Sequence, residues 1–191
     1  MIRAGFLLMV VFSFMGCASS GHSVHENNVD SLEASAKASY AELLEANESA
    51  KLLAEDAVGA LVFPKILKAG LTFGGQYGEG VLLQGDDAEG YFNSVSASFG
   101  LQAGVQTFGY VLIFTNEEAL AHVRDSSGWE IGIGPSLVIA DRGVARTLTS
   151  TTVRADIYAF VFDQKGLMAG SGLQGTKISP IFKNKAAEKA Q

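Results

Sequence analysis

Leu71-Thr72-Phe73-Gly74-Gly75-Gln76-Tyr77-Gly78-Glu79-Gly80-Val81-Leu82-Leu83 alternates two kinds of residue with a period of two. Leu71, Phe73, Gly75, Tyr77, Glu79, Val81 and Leu83 share one parity, and the other, counted from Gly70, combines Gly70, Gly74, Gly78 and Gly80 with Thr72, Gln76 and Leu82. Period two is the signature of a strand, whose successive side chains point to opposite faces. Glycine costs backbone entropy in a strand, so its density on one face implies sharp curvature or the close approach of another element. After the turn Gly85-Asp86-Asp87 the pattern repeats, with Tyr91, Asn93, Val95, Ala97, Phe99, Leu101, Ala103 and Val105 against Gly100, Gln102, Gly104 and Gln106. The fold expected from this pair is a strongly curved, glycine-rich antiparallel sheet or a partly closed barrel, with Gly74 and Gly104 at close approaches.

Working outward, Val58-Gly59-Ala60-Leu61-Val62-Phe63 is a continuous apolar run that suits a doubly buried strand, and Pro64 is expected to close it. Phe108 to Phe114 reads as a further strand, followed by Thr115-Asn116-Glu117-Glu118, a cap and early acids that start a short helix to Arg124. A strand from Ile131 to Ala140 is broken by Gly134-Pro135. A polar turn at Asp141-Arg142-Gly143 and a Thr-rich stretch, Thr147 to Thr152, come next. Two strands, Ile157 to Phe162 and Leu167 to Leu173, flank the turn Asp163-Gln164-Lys165-Gly166, and residues 181–191 form a polar tail.

On the other side, Asp30 to Asp56 has no glycine or proline, and Leu32, Ala36, Tyr40, Leu43, Ala50 and Leu53 recur at helical spacing. The segment is one helix or two joined near Asn47, capped at its start by Asp30 or Ser31. Its polar face carries Glu33, Glu42, Glu45, Glu48 and Glu55 against Lys37 and Lys51, the wrong sign for anionic headgroups, so the apolar stripe is assigned to packing on the sheet. The fold class is α+β, with amino-terminal helices on the curved sheet and one folded domain over residues 30–180.

Near the start of the chain, Arg3 precedes the apolar run Phe6 to Gly16, which ends at Cys17, the only cysteine. That layout is a bacterial lipoprotein export signal over residues 1–16, with Cys17 as the acylated residue. A run of roughly 11 residues is too short to span a bilayer, which needs about 20. Residues 17–29 are polar and aperiodic and read as a flexible linker, and Ala18 in place of aspartate directs the protein to the outer membrane, facing the periplasm. His22, His25 and Glu26 lie in that linker without the surrounding support that a metal site needs, so no metal and no cofactor is assigned.

The net charge of -6 argues against nucleic acid, which requires clustered cations. Gly170-Ser171-Gly172-Leu173-Gln174-Gly175 matches G-x-G-x-x-G, but Thr176-Lys177-Ile178-Ser179-Pro180 opens no helix to meet a pyrophosphate, so no nucleotide is assigned. An outer-membrane barrel does not accommodate the acidic helical half. Catalysis has little support either. His122 is the one histidine of the folded region, on a helix beside Arg124 and Asp125, and the acid pairs Asp86-Asp87 and Glu117-Glu118 sit where turns and helix starts favour them.

The ordered series Leu61-Val62-Phe63-Pro64-Lys65, Lys68-Ala69-Gly70, Gly74-Gly75-Gln76-Tyr77-Gly78-Glu79-Gly80, Ser98-Phe99-Gly100-Leu101-Gln102-Ala103-Gly104, Ser127-Gly128-Trp129-Glu130 and Gln164-Lys165-Gly166-Leu167-Met168-Ala169-Gly170 resembles the SYLF domain, over roughly Asp30 to Pro180. Eukaryotic members bind phosphoinositide membranes and in some cases actin; bacterial relatives are often exported or lipidated. The resemblance implies a lipid-binding module, without fixing the lipid. The acidic amino-terminal helix departs from the basic, amphipathic one of membrane-binding members, and actin is not expected in a bacterial envelope. Lys65 and Lys68 are the candidate headgroup contacts, with Lys165 and Lys177 at turns elsewhere. The reading is a lipid-anchored envelope protein that binds phospholipid or another amphiphile. An alternative is a scaffold that binds a protein partner through an exposed strand edge or the Trp129 face, and a third is an enzyme whose site the sequence does not advertise.

Cys17→Ser is expected to abolish acylation and lipoprotein-type cleavage, leaving precursor or misprocessed product. Incorporation of a labelled fatty acid, followed with the cleavage state, checks this; normal labelling of the variant refutes it.

Overall fold

A computed structural model describes residues 26–131, 134, 136–139 and 155–183. The expected signal peptide, Cys17, His22, His25, the turn at Asp141-Arg142-Gly143, the Thr-rich stretch and the tail beyond Lys183 lie outside the described residues. The element order is α1 (Glu26–Ala46), α2 (Glu48–Glu55), β1 (Gly59–Gln84), β2 (Asp87–Phe114), α3 (Glu117–Asp125), β3 (Trp129–Glu130), β4 (Leu137–Ile139) and β5 (Ile157–Lys183). The fold is α+β: helices at the amino terminus and a strongly curled half-barrel sheet. The strand order is β1-β2-β5-β3, antiparallel throughout, and β4 adds to β5 in parallel.

The helical segment divides at Asn47, whose side chain accepts a bond from the Ala50 N–H (3.1 Å) and caps α2. Asp30 and Ser31 are not the first cap. The helix already starts at Glu26, and Ser31 lies inside it with its hydroxyl donating to the Asn28 carbonyl (2.9 Å). Asn116 caps α3 by accepting from Ala119 N–H (2.9 Å).

Where the sequence suggested several short strands, three long ones form. Pro64 does not end β1. It sits where Phe63 pairs with Tyr110 and Ile66 with Phe108, so that β1 carries an extra residue, and this bulge tolerates an imide with no N–H for the ladder. Asp163 to Gly166 likewise does not separate two strands. It is a bulge in β5 between the pairs Gly109–Phe162 and Thr107–Lys165, with Asp163 and Gly166 at positive φ (49° and 95°).

The ribbon of β1, β2 and β5 bends over on itself. A Cβ added to Gly80 would stand 2.7 Å from the Val62 carbonyl oxygen and against the Phe63 ring, and one on Gly78 would stand 2.8 Å from the Lys65 carbonyl oxygen. The two halves of β1 thus face each other across the inside of the curl. Gln84 Nε2 donates to the Val58 carbonyl across the seam (3.1 Å). The corner lies at Gly70 to Gly74, where a Cβ on Gly70 would come 2.7 Å from the Gly74 Cα and Thr72 adopts φ 57°. On β2 the corner falls at Gly100 and Gly104, both at positive φ.

Each face has its own core. Inside the curl, Leu61, Phe63, Ile66, Leu82, Phe92, Leu112, Phe114 and Ile178 pack with Leu120 and Val123 of α3 and with Trp129. Outside, Ala60, Val62, Val81, Leu83, Val111, Ile113 and Phe160 pack under Ala36, Leu43 and Ala50 of α1 and α2. The Tyr91 phenol donates to Glu33 and ties α1 down; burial foremost, and then this bond, raise its pKa. Fully burying a side chain such as Phe63 or Phe114 contributes about 1.5–3 kcal/mol.

Gly80→Val and Gly104→Val are expected to lower Tm by roughly 5 °C or more, because overpacking costs about 1–3 kcal/mol and position 104 adds a φ of 145° and a collision with the Leu167 carbonyl. Gly175→Ala, whose added Cβ meets nothing within 4 Å, is the tolerated control in the same melting experiment.

Candidate functional site

Toward the corner, the inner face changes from apolar to polar. Gln76 pairs with Ser96, Gly74 with Ser98, Ser96 with Thr176 and Ser98 with Gln174, so the glycine parity of β1 and its partners form one floor of amides and hydroxyls. Gln76, Ser96 and Ser98 are buried in it. Thr176 Oγ1 and Ser96 Oγ are 2.8 Å apart, and Gln174 Nε2 donates to Thr176 Oγ1 (3.3 Å) and Gln76 Oε1 (3.4 Å). Lys68 Nζ donates to Gln174 Oε1 at 2.8 Å.

These residues border a cavity of about 340 Å³ whose polar side is Lys68, Gln76, Gln106, Gln164, Gln174 and Thr176. Its opposite wall is Phe108, Tyr110, Ile131, Leu137, Ile139 and Val161. Burial raises the pKa of the Tyr110 phenol, which stays neutral at physiological pH. Lys68 is the only charged side chain among the described residues lining the cavity. Its ammonium has three donors, of which the bond to Gln174 uses one. One cation on an amide floor facing an apolar wall suits a ligand that is anionic at one end and apolar at the other.

The other candidate cations are elsewhere. With the bulge at Pro64 placed before Ile66, Lys68 shares the inner face with Ile66, whereas Lys65 points outward into a groove between α1 and β1 bordered by Asn28, Ser31, Leu32 and Tyr77. Lys65 and Lys68 therefore do not form a cluster. Lys165 is exposed and paired with Asp163 (2.9 Å). Lys177 is exposed on the outer face, opposite Val95. Trp129 offers no face to a partner: it is 2% exposed because β3 pairs with β5 at Ile178 and sends the indole into the inner core. The amides of the floor were visible in sequence as glutamines on the glycine parity. What joins them is the pairing with β5, some 70 to 100 positions away.

A second cavity, about 300 Å³, is bordered by Asn116, Glu118, His122, Gly134 and Asp156. Of its carboxylates, that of Asp156 is committed to structure. Asp156 accepts bonds from the Ser136 hydroxyl (2.7 Å), the Ser136 N–H (2.8 Å) and the Asn116 amide (2.9 Å), latching the start of β5 to the α3 cap and to the residue before β4. Those bonds, the Ser136 hydroxyl foremost, lower its pKa. Among the described residues no group of three or more His, Cys, Asp or Glu is placed to hold a metal ion. The G-x-G-x-x-G stretch runs through the middle of β5, with no helix after it.

The half-barrel thus holds in its concavity a cavity with one polar, singly cationic side and one apolar side. The family model described as Ysc84, Las17-binding protein actin regulator, matches residues 95–187, which is consistent with a SYLF-type domain. The match takes in β5 and most of β2; β1, with Lys68, precedes it. No curated protein matches the chain.

Asp156→Asn is expected to destabilise the domain most above pH 3.8, the ordinary value of this carboxyl, because a lowered folded-state pKa contributes stability that is present above the unfolded value and lost as pH falls through the folded one. Thermal melts of both proteins across acid pH check this. A Tm difference that does not shrink below pH 3.8 removes the latch.

Proposed function

We propose that the chain is an envelope lipoprotein, anchored through Cys17 at the outer membrane and facing the periplasm, whose SYLF-type domain binds an amphiphile with an anionic headgroup, of the phospholipid class. The carrying observation is the cavity inside the curl, with Lys68 and its amide floor on one side and Phe108, Tyr110, Ile131 and Val161 on the other. The headgroup binds at Lys68 and the apolar portion lies along the opposite wall. Lys65, on the outer face, takes no part in this site. The run before Cys17 and the alanine after it support the anchor and its placement. Binding without catalysis fits the commitment of Asp156 and Ser136 to the latch.

A protein partner is the second reading, favoured by the matching family's description as Las17-binding and actin-regulating. The partner class would differ in a bacterial envelope, and the buried Trp129 takes no part.

The test is native purification of the acylated protein from membranes, with extraction and quantification of bound lipid. Lys68→Glu is expected to lower bound lipid by roughly tenfold or more, the worth of a charged hydrogen bond, while Lys65→Glu leaves it unchanged. An empty wild-type protein, or equal loss in the two variants, overturns the assignment.

A further inference from the structure

The outer face of the sheet is largely apolar, interrupted by Lys65, Glu79 and Lys177, and among the described residues α1 and α2 cover the half at the seam. Toward the corner the same face continues bare. Leu71 and Phe73 on β1 are 75% and 71% exposed, Phe99 and Val105 on β2 57% and 56%, and Leu167 on β5 89%. The strand register makes this one surface. Phe73 pairs with Phe99, their ring centroids 5.0 Å apart, Tyr77 pairs with Val95, and Val105 pairs with Leu167. A contiguous exposed patch of this kind marks a docking surface.

Its border carries charges of both signs: Lys165 is paired with Asp163, the Glu79 carboxylate accepts a bond from the Tyr77 phenol (2.7 Å), and Lys177 stands opposite Val95. Desolvation foremost, and then the bond to Glu79, raise that phenol's pKa to about 12. With both signs present at the border, the face offers apolar area rather than a charged patch.

The chain before α1 decides between occupants. Asn28, Ser31 and Leu32, in the first turns of α1, share a groove with Leu67 and Tyr77 at the margin of the bare face. Cys17 lies about nine residues before Glu26, a span of at most roughly 30 Å when extended. An acylated Cys17 thus holds this margin of the domain within reach of the headgroups. We infer that the bare outer face at the corner, centred on Phe73 and Phe99, docks on the bilayer that carries the anchor. The inference rests on the reading of Cys17 as the lipid attachment site. It assigns membrane contact to an apolar sheet surface that seats in the headgroup and acyl boundary, with the inner cavity left for its ligand.

The experiment uses the acylated full-length protein in vesicles of phosphatidylethanolamine and phosphatidylglycerol. Acylation consumes the Cys17 thiol, so Phe73→Cys, and separately Lys51→Cys on α2, each accept one environment-sensitive fluorophore. Nitroxide lipids are expected to quench the label at position 73 and not at 51, and added salt does not reverse it. Leu71→Ser with Phe99→Ser is expected to abolish quenching at 73 while the protein still floats with the vesicles. If the bound protein shows no quenching at 73, the docking face is wrong and the anchor stands. Absence of flotation removes the anchor and this inference with it. Burial of the label without vesicles, rising with protein concentration, assigns the face to a second copy and overturns the inference.

Discussion

The absence of side chains at Gly78 and Gly80 lets the far half of β1 lie against Phe63, Ile66 and the backbone between them. A strand of 26 residues would otherwise be far too long for a domain of this size. Folded back at Thr72 and at the β2 corner, it brings both of its ends under the same helices and turns one sheet into two packing problems. The inner problem is solved by α3 and Trp129, which fill the curl, and the outer by α1 and α2, which straddle the seam.

Neither solution is complete, and the incomplete parts are where binding is proposed. Inside, the apolar filling stops before the corner, where Gln76, Ser96, Gln174 and Thr176 hydrogen-bond in a connected floor. Buried amides and hydroxyls are tolerated only when paired. The same floor holds Lys68 through its bond to Gln174 and faces an apolar wall with Phe108 and Tyr110 across the cavity. Outside, the helices end before the corner, where Phe73 and Phe99 pack on one another and stay largely exposed.

The bulges decide which residues go where. A strand reverses the facing of its side chains at each residue, so the extra residue at Pro64 sets the parity of everything between it and the corner. Lys68 comes inside with Ile66, and Lys65 goes outside toward α1. Around β5, the Asp156 latch fixes where that strand starts, and with it the register that brings Gln174 and Thr176 to Ser98 and Ser96.

Much was legible locally. Period two and glycine parity in Leu71 to Leu83 specified a curled sheet, and helical spacing specified the helical segments, with a cap before α3 and Asn47 as the place where two helices would join, because these depend on neighbours a few residues away. The spacing of three between Lys65 and Lys68 already set them on opposite faces of a strand, but Pro64 suggested that the strand had ended. Whether a proline ends a strand or sits in a bulge depends on what its partner strand does, and whether Trp129 is exposed depends on its pairing with Ile178. The continuity of the three long strands, the meeting of Lys68 with Gln174 and the division of the apolar outer face into covered and bare halves are products of long-range register. Such contacts are set by the mutual fit of distant segments, so only the tertiary structure decided them.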